Sequence, residues 1–309
     1  MSDTIILEPV ECKSAEEFIG ALSPLGRYFG QFPANAPWLF RGVGKESFKL
    51  IPKALRADRP LSKITKHDCE SYGSQVLAER DSLIDFFTLA DRRGLSLPDD
   101  SQELRRQLEI LWSERGDYFS EQGDREWWPR NEVLSLVALA QHYGLPTRLL
   151  DWTRRSYIAA YFAAEDSIRH GQSENLVVWS LYYPALGTLD VLGRDNEPFV
   201  VVTAPSASNA NLRAQQGMFT LVTPITKGEK TVANIPLDEA VLNSAAKQNE
   251  NAKAMRIQRF VLAAQEAEKL LWLLAKMDIT ASTIFPDYVG VVKELEQRRT
   301  WRQFEESVI

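Results

Sequence analysis

The chain has 309 residues, 36 Lys+Arg against 42 Asp+Glu, a net charge of −6, and 44% hydrophobic and 25% charged residues. That balance excludes a wholly disordered chain. No apolar run approaches the roughly 20 residues that cross a bilayer, so a membrane partner is not expected.

In chain order, residues 13–32 read as a helix, with Ser14 as N-cap and Glu16 and Glu17 in the first turn. Asn35-Ala36-Pro37 breaks it. Trp38-Leu39-Phe40-Arg41-Gly42-Val43 reads as a short strand meeting a glycine, and Leu50-Ile51-Pro52 as extended chain. Residues 64–93 carry apolar side chains at helical spacing. Residues 95–128 read as a loop-rich insertion around a charged helix at Glu103–Arg115. Residues 131–143 form an apolar helix stopped by Gly144-Leu145-Pro146.

A polar turn, Thr147 to Thr153, then leads to a helix at 155–169. Strands follow at Leu176–Leu181, Val200–Val202 and Gln215–Val222, with another near 257–263. A helix at 265–277, a turn at Ile284–Tyr288 and a helix at 290–305 close the chain. Strands and helices in this order give an α+β fold with a mixed or antiparallel sheet, a helical N-terminal part and a helical insertion at about 64–130. The expected organisation is an N-terminal helical segment at 1–37, a domain at 38–295 and the end of a C-terminal helix at 296–309.

Met1-Ser2-Asp3-Thr4-Ile5-Ile6 has no signal-peptide pattern, and two cysteines, Cys12 and Cys69, suit a reducing compartment. A cytoplasmic location is the expectation. The acidic balance makes nucleic acid an unfavoured partner. Dinucleotide-binding, phosphate-loop, zinc-protease and paired-cysteine motifs are absent. His67, His142 and His170 have no ligand spacing, so no metal is expected.

Two segments hold candidate chemistry. In Leu39-Phe40-Arg41-Gly42 the arginine reads either as a partner for a nearby carboxylate or as an anion clamp, its guanidinium fork matching phosphate. Between Gln141 and Thr153, polar groups crowd a turn between two apolar helices, where function often resides. There Asp151 or Thr153 reads as a helix cap, Arg148 as a partner of Asp151 and Trp152 as core, or the same residues read as a binding site.

These segments resemble a known family. Trp38 to Gly42, followed by Leu50 to Arg56, is similar to the start of an FRG domain, named for its Phe-Arg-Gly triplet. Gln141 to Thr153, continuing to Ala159-Ala160-Tyr161-Phe162-Ala163, resembles its central signature, with Ser156 where the family usually has proline. Gln216 to Thr220 and Ile284 to Gly290 resemble its later blocks. More remotely, the order of blocks resembles an ADP-ribosyltransferase fold.

That second resemblance implies NAD as ligand. Arg41 would bind its pyrophosphate or adenosine ribose, and the Gly42 backbone its nicotinamide amide. Thr147 would orient the nicotinamide ribose, Tyr143 or Trp152 would stack on a ring, and Arg148 would complete the binding set. Gln216 stands where the superfamily has a catalytic glutamate, so Asp151 would supply the carboxylate, or the site would bind without turnover. The implied function is an ADP-ribosyltransferase or NAD-cleaving protein, bacterial, acting as a toxin or in phage defence. The alternatives are an inactive nucleotide or anion sensor and a protein-interaction module presenting Trp112, Trp127 and Trp128.

Overall fold

In a computed structural model, residues 5–113, 128–184, 198–203, 210–222, 235–247 and 249–305 are described. In chain order they form β1 (Val10–Cys12), α1 (Ala15–Leu22), β2 (Trp38–Val43), α2 (Tyr72–Arg92), α3 (Gln102–Ser113), α4 (Leu134–His142), β3 (Leu149–Thr153) and α5 (Ser156–Arg169). Then come β4 (Leu176–Tyr182), β5 (Phe199–Val202), α6 (Ala210–Gln215), β6 (Gly217–Val222), α7 (Leu237–Ala246), α8 (Glu250–Ala254), β7 (Arg256–Leu262), α9 (Ala267–Ala275), α10 (Ala281–Ile284) and α11 (Tyr288–Glu305). The fold is α+β around one mixed sheet of order β1-β7-β4-β2-β3-β6-β5. Among the described strands, β1 and β7 are the one parallel pair.

Several local expectations need correction. The first helix stops at Leu22 rather than running to 32, because Pro24 cannot continue it. Ser14 does cap it, accepting from the Glu17 amide. The helix read from 64 starts at Tyr72, capped by Ser71, after a turn in which Cys69 is left-handed (φ 57°). The segment from Leu149 to Thr153 is not a turn but a central strand, β3, hydrogen-bonded to β6. Trp128 is not on an exposed surface. It is buried, and its indole N–H donates to Glu79 Oε2 at 2.8 Å. Trp112 is exposed. Trp127 and the end of the charged helix at Arg115 lie outside the described residues.

The strand registers sort the core. Phe40 stands opposite Thr153, and Asp151 opposite Phe219, so all four share one face by the alternation of strand side chains. On that face, α1, α5 and α9 cover Phe40, Val178 and Phe260 on one half of the sheet. Helices α2, α3 and α4 cover Leu149, Phe219 and Leu221 on the other half. The opposite face buries Trp152, Val177 and Ile257 under α7 and α8. Two helical groups therefore share one face and meet over the β2–β3 junction. No helix among the described residues is long and apolar enough to cross a membrane.

Candidate functional site

The junction between those groups is also where the sheet opens. Strand β2 pairs with β4 along its whole length, from Trp38–Tyr182 to Val43–Val177. With β3 it pairs only at Phe40–Thr153. Beyond that pair the strands part, and Arg41 spans the gap. Its Nη1 donates to the Asp151 carbonyl at 2.8 Å and lies 3.5 Å from Asp151 Oδ2. The side chain thus satisfies a carbonyl left without a ladder partner.

A cavity of about 530 Å³ sits over this split, within the range of small-ligand sites. Its walls are β2, β3, the end of α4 with Gln141 and His142, and the α5 face carrying Phe162. Helix α5 lies very close to β2. A Cβ on Gly42 would stand 1.9 Å from the Ala159 carbonyl oxygen and 2.7 Å from the Ala163 nitrogen. Gly42 does line the cavity, but the space its side chain vacates is taken by the helix backbone.

Asp151 is held from two sides. Gln141 Nε2 donates to Asp151 Oδ2 at 2.9 Å. Gln141 is itself oriented, because its Oε1 accepts the Thr147 hydroxyl at 2.8 Å. The Thr147 hydroxyl also accepts the Leu149 amide at 3.1 Å. The chain Thr147–Gln141–Asp151–Arg41 sets the carboxylate at the cavity floor. Asp151 stays 53% exposed there, while Arg41 is only 14% exposed.

The charge is asymmetric. Arg169 on the wall is neutralised by Glu165 at 2.5 Å and Asp166 at 3.6 Å. Lys53 and Arg56 reach the Gly144 and Ile51 carbonyls, each at 3.4 Å, Arg56 also lies over the Phe48 ring, and neither pairs with a carboxylate among the described residues. Burial, and then the neighbouring Arg41 charge, pulls the Arg56 guanidinium below its usual pKa. Arg41 Nε is buried with no hydrogen-bond partner. Burial also holds the His142 imidazole below its ordinary value of 6.5, against the opposing pull of Asp151. The arrangement offers an orphaned guanidinium N–H and two unpaired cations beside one positioned carboxylate.

Of the other expected site residues, Trp152 also lines the cavity and the rest lie outside its lining. Arg148 is turned inward, its Nε and Nη2 donating to Glu79 at 2.6 and 2.9 Å rather than to Asp151. Trp152 packs its ring in the opposite-face core and donates its N–H to Thr220 Oγ1 at 2.9 Å. Tyr143 is exposed beside the His142 ring. Thr147 is buried behind Gln141. Gln216 holds a left-handed turn (φ 45°) before β6, and the Arg154 amide donates to its carbonyl. Lys53, Arg56 and Gln141 were not singled out by sequence. The available signal was two cations three residues apart directly after the extended Leu50-Ile51-Pro52. Among the described residues no group of three or more His, Cys, Asp or Glu converges as metal ligands.

A family model for the FRG domain matches residues 36–172, a span that contains β2, α4, β3 and α5. No curated protein and no solved structure matches the chain.

Proposed function

The chain carries an FRG domain and belongs to the FRG domain-containing proteins, and from that premise we propose that the β2–β3 cavity binds a nucleotide, NAD, and acts on it in the manner of an ADP-ribosyltransferase or NAD-cleaving enzyme. The observation that carries the reading is that Arg41 and Asp151 meet in one cavity beside the unpaired Lys53 and Arg56. Guanidinium forks suit a pyrophosphate, and Arg41 Nε is left without an acceptor among the described residues. The remote block-order resemblance supports the same choice.

Bound NAD would supply a nicotinamide–ribose bond whose cleavage leaves positive charge on the ribose. The Asp151 carboxylate, fixed by Gln141 and Arg41, would oppose that charge. Burial holds the His142 imidazole beside it below its ordinary 6.5. Nicotinamide would leave as a neutral base with the bonding electron pair, and the ADP-ribosyl group would pass to water or to an acceptor nucleophile, whose proton is released to solvent.

A second reading, a nucleotide sensor without turnover, has its own observation. Gln216 carries no charge, and Asp151 Oδ2 is already engaged by two donors. Two readouts separate the readings: binding of labelled NAD and release of nicotinamide from it, each measured on wild type and Asp151→Asn. Release by wild type that falls at least a hundredfold in Asp151→Asn supports the enzyme. Binding without release supports the sensor. Neither binding nor release overturns both.

A further inference from the structure

The last helix wears its apolar side outward. On α11 the inward positions include Gly290, Glu294 and Trp301. Glu294 is buried, accepting from the Ser282 hydroxyl and from Arg298. The outward positions carry Tyr288, Val289, Val291, Val292 and Leu295, with Tyr288 91% and Leu295 61% exposed. Single exposed apolar residues are ordinary, but a contiguous stripe marks an interface.

The spacing identifies the occupant. Tyr288, Val292, Leu295 and Arg299 lie within about a sixth of the helix circumference. Their separations of four, three and four residues make a coiled-coil seam. That pattern reads the same from either end. Laid antiparallel on itself, it sets Val292 against Leu295 of the second copy, and Tyr288 against the second copy's Arg299. Arg299 is exposed and has no ion-pair partner among the described residues, so its guanidinium is available to an aromatic face. No like charges meet along the seam.

We propose that α11 pairs antiparallel with α11 of a second copy of this chain, giving a two-fold homodimer. Such an interface is isologous, with the same patch used twice. The helix that carries it also reaches the cavity from its other side. Lys293, turned away from the seam toward the body of the protein, holds Glu165 of the cavity wall at 3.0 Å and lies over the Phe285 ring, which lines the cavity.

Sedimentation velocity of the full chain over a concentration series tests the pairing. The expected result is a reversible dimer that becomes monomeric in Leu295→Glu and in Val292→Glu, both surface positions, with circular dichroism and melting unchanged. The register is tested by oxidising a mixture of Val292→Cys and Leu295→Cys chains. Mixed disulfides should exceed like-with-like ones, the native Cys12 and Cys69 being buried. A monomer at every concentration, a dimer that survives Leu295→Glu, or a preference for like-with-like disulfides would overturn the proposal.

Discussion

Two of the arginine–carboxylate pairs among the described residues do opposite things. Arg148 and Glu79 form a bidentate pair between β3 and α2, with side chains 8% and 5% exposed. Trp128 and Gln75 take up the rest of the hydrogen bonding of Glu79. Arg41 and Asp151 meet at 3.5 Å in an open cavity, with the carboxylate half in solvent and one guanidinium N–H unused. The first pair is closed and internally satisfied. The second leaves hydrogen-bonding capacity for something else. A charged pair is a candidate site when its geometry is incomplete, not simply when charges are close.

The largest effect should come from breaking the closed pair. Arg148→Ala strands Glu79 in the core and should cost about 3–5 kcal/mol. At about 2–4 °C per kcal/mol, that is a fall of roughly 10 °C in melting temperature by calorimetry. Arg41→Ala removes a hydrogen bond to a carbonyl and a 3.5 Å contact to a half-exposed carboxylate, both at an open cavity, and should cost only about 1–2 kcal/mol. If the two variants melted alike, the contrast would collapse.

Gly42→Ala comes next. The added methyl meets the α5 backbone, and overpacking of this kind costs about 1–3 kcal/mol. A denaturant midpoint indistinguishable from wild type would show that α5 can move off β2. Asp151→Asn should change stability by less than about 1 kcal/mol, since a partly exposed ion pair contributes little.

The smallest effect concerns pH. Folding lowers the His142 pKa below its free value of 6.5, so protons favour the unfolded chain at this residue. Its stabilising contribution is full above pH 6.5 and is lost as pH falls through the lower folded value. Relative to His142→Gln, wild type should therefore lose ground between pH 7 and pH 5 in paired melting curves. A constant difference across that range would contradict the burial of the imidazole.

Where local pattern and tertiary structure agree, the sequence was readable. The apolar run at Leu176–Leu181, the strand at Trp38–Val43 and the helical spacing in 155–169 all form as expected. Ser156, where the family usually has proline, starts that last helix and bonds the Leu22 carbonyl of α1 at 2.6 Å. What stayed hidden depended on distant partners. Three residues at Val10–Cys12 are a strand only because Phe260–Leu262 lies alongside. Leu149–Thr153 looked like a turn because Asp151 and Thr153 are turn-forming types, and only pairing with Leu221–Gly217 makes it a strand. Helix α7 was missed although Leu237, Ala240, Val241 and Ala245 carry the helical period. The candidate site was half visible. Arg41 and Asp151 stood out individually, but their meeting depends on the parting of β2 from β3. The true partner of Arg148 is Glu79, on a helix far upstream.

The central claim is that the open pair is a nucleotide site and the closed pair is structural. The most direct measurement is thermal melting of wild type and Arg41→Ala with NAD, ADP-ribose, ATP and nicotinamide. A ligand that binds only the folded state at about a hundred times its Kd adds roughly 2.7 kcal/mol, a rise of several degrees. The account predicts that rise for NAD or ADP-ribose in wild type, and its loss in an Arg41→Ala protein that otherwise melts within a few degrees of wild type. No rise with any nucleotide, or an equal rise in Arg41→Ala, would contradict it.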